Sequence, residues 1–197
     1  MSRLTAAVLA ASVTALAGCA SAQMTTLWKD PELGKAPFRK VAIFAAVKDE
    51  GIFRATEDAF VRAMQGSATQ AVAGYQLVPA ADRGDSTKVR SGLEQAGVDG
   101  VIVYRYLGKT MSMDYQPGSG PYAGGVNGYY GYAMANDPGY LAATTTYYLG
   151  TAVYAVNPQK LLWTARSQSF APKDVGQVID ELVKMSVAQM KTDGVVK

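Results

Sequence analysis

Apolar and polar segments alternate along this chain in the order that an α/β sheet produces. The run "KVAIFAAVK" (residues 40–48) is apolar between two lysines, which predicts a strand buried on both faces. Apolar residues at helical spacing then predict an amphipathic helix over residues 53–68. The alternation continues with a short strand at 74–79, a helix that Asp85 or Ser86 caps and that runs to Ala96, and a strand at 99–108.

The C-terminal part of the chain has a different pattern. Residues 144–156 are rich in β-branched and aromatic side chains, and after an Asn157-Pro158 turn residues 160–170 form a second such segment, which predicts a β-hairpin. An apolar stripe then predicts a closing helix, with Gly194 just past its end. The expected fold class is mixed α/β (α+β), a mixed sheet with packed helices in the order β-α-β-α-β, a long loop, then β-β-α.

The long loop is expected at about residues 109–143, where we find no convincing helix or strand period. Eight of the twelve tyrosines fall between Tyr115 and Tyr148, among many glycines. Such a segment is functional or disordered in most compact domains. Two interpretations stay open: a binding loop for a protein, a glycan or lipid headgroups, or a flexible insertion whose tyrosines partly cover the sheet. The candidate contact residues are Tyr122, Tyr129, Tyr130, Tyr132 and Tyr140.

The N-terminus reads as an export signal. Arg3 precedes an apolar run of about 15 residues, roughly 22 Å as a helix and too short for the ~30 Å hydrocarbon core. The stretch "LAGC" that ends at Cys19 resembles the lipobox of bacterial lipoproteins, which implies cleavage between Gly18 and Cys19 and acylation of Cys19. An ordinary secreted protein with a leftover thiol is the alternative. Residues 1–18 are thus expected to be a signal peptide, 19–39 a lipidated tether, and 40–197 a single domain.

Composition excludes several classes of function. The 197 residues carry a net charge of +3 with no run of more than two basic residues, so we expect no nucleic-acid binding. There is no histidine, which rules out a Ser-His-Asp triad, and the single cysteine rules out an internal disulfide. We expect no metal site, no cofactor and no catalytic site. The carboxylates of Glu57, Asp58 and Asp99 are interpreted as solvated or capping groups, and "RGD" (83–85) as a polar turn.

Several segments together resemble the bacterial lipoproteins grouped as domain of unknown function 4136. These are the lipobox at Cys19, "TLWKDP", "KVAIFAAVKDEGIFRATEDAF", "AGVDGVIVYRYL", the Tyr/Gly-rich insertion and "QKLLWTARSQSF". The resemblance implies an envelope lipoprotein with this α/β order and supplies no known activity. In lipoproteins of enteric bacteria an aspartate after the cysteine favours the inner membrane. Ala20 at that position favours the outer membrane, with its periplasmic face as the default.

The sequence therefore predicts a non-catalytic binding or assembly module. It is held on a membrane by its N-terminal lipid and presents the Tyr/Gly loop to an envelope protein or glycan. Two alternatives stay open. One is a carboxylate-dependent hydrolase of cell-wall glycan, which requires two facing carboxylates about 5–10 Å apart in a cleft. The other is a carrier of a small apolar ligand, which requires a sizeable cavity.

Overall fold

A computed structural model describes residues 22–33, 38–116 and 140–197. Its six strands form one sheet in the order β1-β6-β5-β4-β2-β3. The elements are β1 (Ala22–Lys29), β2 (Lys40–Ala46), α1 (Glu50–Ala63), β3 (Gln70–Ala73), α2 (Gly74–Leu77), a 3-10 turn (Ala80–Asp82), α3 (Ser86–Gln95), β4 (Gly100–Gln116), β5 (Tyr140–Ala155), β6 (Lys160–Phe170) and α4 (Val175–Thr192). The strands β3, β2 and β4 are parallel, and the β4-β5, β5-β6 and β6-β1 pairs are antiparallel. The predicted fold class is confirmed.

The main hydrophobic core lies between the sheet and the helices α1 and α4. We call this side of the sheet the core face; Trp163 and Ile102 on it are fully buried. On the opposite side, the α3 face, Leu93 of α3 packs near Ala42 and Val98 in a smaller cluster. Because β2 lies between both clusters, Val41 and Ala42 are each inaccessible to solvent. This explains the uninterrupted apolar run at 40–48.

The tether predicted at residues 19–39 contains a strand of the sheet, β1. Residues of β1 pair in register with β6, from Ala22 opposite Ser169 to Lys29 opposite Trp163, so the sheet begins at Ala22 and not at residue 40. The breakers Pro31, Gly34 and Pro37 all come after this strand. In the structure more and less exposed residues alternate with a period of two from Ala22 to Leu27, as in a half-buried strand.

Two other segments also differ from expectation. The strand predicted at 74–79 is instead β3 at Gln70–Ala73, followed by the short helix α2. The chain passes from β3 into α2 at Gly74, close to the backbone of β2. A Cβ at Gly74 would stand 2.6 Å from the carbonyl oxygen of Ile43, so only glycine fits at this position. The helix α1 begins at Glu50, where the Asp49 carboxylate accepts a hydrogen bond from the Ile52 amide at 2.9 Å.

The predicted loop at about 109–143 is shorter than expected. Strand β4 continues to Gln116 and β5 begins at Tyr140, and the two pair along this whole length. The sequence "TMSMDYQ" (110–116) alternates polar and apolar residues with a period of two, which is typical of a half-buried strand. We call residues 109–116 and 140–145 the β4–β5 arm. Within the described ranges, no helix is long and apolar enough to cross a membrane.

Candidate functional site

Half of the α3 face has no described element packed on it. The helix α3 covers the part of the face around β2, whereas the same face of β5, β6 and β1 is open. Three large apolar side chains stand there in contact with solvent: Leu27 is 63 % exposed, and Leu107 and Tyr154 are each 40 % exposed. Together with Val103 and Ala152 they line a shallow cleft of about 350 Å³. An exposed apolar cleft of this kind is typical of a binding surface.

Two arginines stand at the centre of this open face. Arg105 on β4 is paired with Gly150 on β5, which is in turn paired with Arg166 on β6, so the three residues form one row across the sheet. Two strand spacings separate the Cα atoms of the arginines by about 10 Å. Gly150 has no side chain, and the side chain of Leu107 packs over it between the two arginine positions. A Cβ at Gly150 would stand 3.3 Å from Leu107 Cδ1, so glycine is what lets Leu107 pack there.

The two guanidinium groups have no carboxylate partner among the described residues. The Arg166 guanidinium lies 4.7 Å from the centroid of the Tyr148 ring, a cation–π contact that holds it over the sheet. Arg105 is exposed. Planar guanidinium groups bind carboxylates and phosphates through two parallel hydrogen bonds. This row of residues is therefore suited to an anionic group on a partner that also covers apolar surface.

The structure places Glu57 in the interior, which corrects its interpretation as a solvated group. Its side chain is fully buried. The carboxylate accepts hydrogen bonds from the amides of Ala45 at 3.0 Å and Tyr75 at 2.8 Å, and from both terminal nitrogens of Arg83 at 2.8 and 3.1 Å. The Arg83 guanidinium also lies 5.1 Å from the Phe44 ring centroid and 4.5 Å from that of Phe53. Glu57 is thus a buried structural anchor.

The other two candidate carboxylates also hold the fold. Asp58 accepts a hydrogen bond from the Tyr75 hydroxyl at 2.8 Å. Asp99 accepts hydrogen bonds from the amides of Arg39 at 3.0 Å and Lys40 at 2.9 Å, which connects the start of β2 to the start of β4. Each carboxylate has a structural partner, so this geometry does not favour the glycan hydrolase. In the described part of the chain no group of three or more acidic or cysteine side chains could hold a metal ion.

A second, mainly apolar cleft lies on the core face where α1, α4 and the two central strands meet. Its volume is about 180 Å³. It is lined by Val47, Ile52, Thr56, Tyr104, Tyr106, Tyr147, Leu149, Val175, Val178 and Ile179. Ligand pockets in proteins have volumes of about 300–1,000 Å³. This cleft is smaller than that range, so this cleft by itself does not support the carrier of an apolar ligand.

Most of the site residues predicted from the sequence lie outside the described residues. These are Gly18, Cys19, Tyr122, Tyr129, Tyr130 and Tyr132. Tyr140 is described: it is the first residue of β5 and 66 % exposed, so it belongs to a strand and not to the loop. The row of Arg105, Gly150 and Arg166 could not be predicted from the sequence, because the register that aligns three strands is not visible in a single sequence.

The chain was compared with protein families, curated proteins and solved structures, and only solved structures are similar to it. No protein-family model matches this chain, so the resemblance to domain of unknown function 4136 stays a prediction. No curated protein matches it. A PelC dodecamer from Paraburkholderia phytofirmans is similar at 10 % identity over 85 % of this chain and 95 % of that chain, with a TM-score of 0.48. The lipoprotein GNA1162 from Neisseria meningitidis is similar at 10 % identity over 78 % of this chain and 98 % of that chain, with a TM-score of 0.42. A minor lipoprotein from Acinetobacter baumannii is similar at 8 % identity over 80 % of this chain and 95 % of that chain, with a TM-score of 0.32. At such identities and TM-scores the likeness carries no argument about function.

Proposed function

We propose that this chain is a non-catalytic binding module of the bacterial cell envelope, anchored by acyl chains on Cys19, that takes an anionic partner on its open sheet face. The observation that carries the proposal is the row of Arg105, Gly150 and Arg166. Among the described residues the two guanidinium groups have no carboxylate partner, and exposed apolar side chains lie beside them. Exposed apolar side chains grouped beside cationic groups are typical of an interaction surface.

The location rests on the sequence. The lipobox ending at Cys19 supports acylation, and two or three acyl chains anchor a protein durably. Ala20 supports the outer membrane, with the domain on its periplasmic side. Replacing Cys19 with alanine is expected to abolish incorporation of a labelled fatty acid and to move the protein out of the detergent-phase fraction. A Cys19→Ala chain that is still acylated contradicts the anchor.

The chemistry of the face defines the class of partner. A partner with carboxylate or phosphate groups, from an acidic protein segment or from a glycan, matches the two arginines. Its apolar or ring-shaped parts would cover Leu27, Leu107 and Tyr154. Because the attraction depends on exposed charges, binding is expected to weaken as the salt concentration rises.

The test is photo-crosslinking in living cells. A photoreactive amino acid replaces Tyr154, which lies at the rim of the cleft, in the native chain and in an Arg105→Gln/Arg166→Gln variant. We expect the adduct yield to fall about tenfold or more in the double variant, because each lost charge-assisted hydrogen bond costs about 1.5–3 kcal/mol. The matched control is Arg62→Gln, an exposed arginine at the end of α1 that should leave the yield unchanged.

The adduct itself identifies the partner. A discrete protein band indicates an acidic protein, and a ladder of products indicates a glycan. An equal yield from the native chain and the double glutamine variant, at equal expression, contradicts the assignment of the binding face.

A further inference from the structure

The β4–β5 arm extends beyond the rest of the sheet. Pairing between β2 and β4 ends at Ala46 and Arg105, and pairing between β6 and β5 ends at Phe170 and Thr146. Past these points β4 and β5 pair only with each other among the described strands. The arm strand at 109–116 is about 27 Å long at 3.4 Å per residue.

One face of the arm is mainly apolar, with Lys109 at its base, and the other face is mainly polar. Met111, Met113, Tyr115 and Leu141 project from the core-face side and are 62, 67, 59 and 66 % exposed. The opposite face carries Thr110, Ser112, Asp114 and Thr144, together with Ala142 and the exposed Tyr140 at its far end. Beside the base of the arm the apolar surface continues into the cleft between α1, α4 and the central strands. A two-stranded ribbon is marginally stable in water on its own, so an apolar partner for this face would stabilise it.

The N-terminus of β1 enters the sheet at the same end as the arm. Ala22 is paired with Ser169, Ser169 with Tyr147, and Tyr147 with Lys109, so all four lie in one row at the base of the arm. Strand β1 is antiparallel to β6, and its N-terminal end points in the direction in which the arm extends. Cys19 precedes Ala22 by three residues, which limits the distance between their Cα atoms to about 11 Å.

This arrangement favours a lipid surface as the occupant of the apolar face. Met111 lies about 7 Å and Met113 about 14 Å beyond the row of Ala22. Acyl chains on Cys19 would therefore enter the bilayer beside these side chains. The turns at this end carry both Lys48 and Lys173 and the acidic Asp49, Glu50 and Asp174, so net charge gives no strong attraction to anionic lipid. Apolar contact is the remaining source of affinity.

We propose that the β4–β5 arm is a second membrane-contact element, which lies along the bilayer with Met111, Met113, Tyr115 and Leu141 in the boundary between headgroups and acyl chains. The proposal rests on acylation of Cys19, and it adds the orientation of the domain. An amphipathic element with one apolar and one polar face binds in this way, and aromatic residues favour this depth. The arm and the lipid anchor together would hold the sheet at one fixed angle to the membrane.

The test uses the mature, lipidated protein purified from cells and reconstituted in vesicles of phosphatidylethanolamine and phosphatidylglycerol. When Cys19 is acylated, a cysteine introduced by Met113→Cys is the only free thiol of the chain and accepts one environment-sensitive fluorophore. The matched control is Ser112→Cys, the neighbouring residue on the polar face. Tyr115→Cys and Asp114→Cys form a second matched pair.

We expect lipid-borne nitroxides to quench the probe at residues 113 and 115 at least about twofold more than at 112 and 114, with little change in high salt. Equal quenching within both pairs, in protein shown by mass to carry the acyl chains, overturns the arm proposal and leaves the anchor intact. In another outcome, the probe at residue 113 is shielded from water but is not quenched by the lipid nitroxides, and its emission changes on dilution. This result would assign the apolar face to a second copy of the chain and would also overturn the arm proposal. A chain that takes up two fluorophores and lacks acyl mass overturns the anchor, and the orientation that depends on it.

Discussion

Replacing Arg83 with methionine removes the only cationic partner of the buried Glu57 carboxylate among the described ion pairs. The apolar part of the side chain remains between Phe44 and Phe53, so the substitution changes charge more than packing. Glu57 keeps the amide donors of Ala45 and Tyr75 but loses both guanidinium hydrogen bonds. The side chain of Arg83 is 18 % exposed and that of Glu57 is 0 % exposed, so water cannot replace the lost partner fully.

The expected loss of unfolding free energy is about 3–5 kcal/mol, the usual cost of leaving a buried charge without its partner. For a domain of this size that corresponds to a fall in Tm of roughly 6–20 °C. The assay is urea denaturation of the native and variant proteins, with equal m-values as the check that both unfold as one unit. Arg90→Met, an exposed arginine on α3 without a described ion pair, is the control and should change the free energy by less than about 0.5 kcal/mol.

A double-mutant cycle separates the ion pair from packing. Glu57→Gln removes the charge that Arg83→Met leaves unpaired, so the double variant should be destabilised less than the sum of the two single variants, by about 2 kcal/mol or more. A loss below about 1 kcal/mol for Arg83→Met would equal that of a surface pair. That result would refute the conclusion that Glu57 and Arg83 form a buried anchor.

Two further predictions concern the carboxylate of Asp193 and the close approach at Gly74. Burial of Asp193 would by itself raise its pKa, but hydrogen bonds from Trp163, Gln189 and Thr26 and the charge of Lys29 hold the pKa below its ordinary value. Asp193→Asn should therefore lower the unfolding free energy by about 1–2 kcal/mol at pH 7. The difference from the native protein should shrink as the pH falls below about 4, where the carboxyl group of the unfolded chain takes up its proton, and should be lost once the folded carboxylate is protonated as well. A difference that grows in acid would contradict this. Gly74→Ala should destabilise the protein by about 1–3 kcal/mol in the same denaturation assay, because the new Cβ would stand 2.6 Å from the Ile43 carbonyl oxygen and 2.8 Å from the Phe44 ring. The control is Gly84→Ala, which should be nearly neutral because a Cβ there meets open space.

The sequence alone determined the elements whose burial pattern is local. The apolar run of β2, the β5–β6 hairpin and the stripe of α4 each have a period that one segment shows without reference to any other. The Asp85 cap of α3 was also predictable, since its carboxylate bonds amides two and three residues ahead. These local patterns suffice for the fold class, because the order of elements limits the possible sheets.

Only the tertiary structure decided three other features: the Glu57–Arg83 ion pair, the row on the open face and the strand β1. Glu57 and Arg83 are 26 residues apart, and nothing in their neighbours predicts that one ion pair in the interior unites them. Arg105, Gly150 and Arg166 form a row only because the registers of β4, β5 and β6 align them. In the same way, β1 became a strand by pairing with β6, about 140 residues later along the chain. The physical reason is common to all three cases: each depends on contacts between distant segments, and those contacts exist only once the chain has folded.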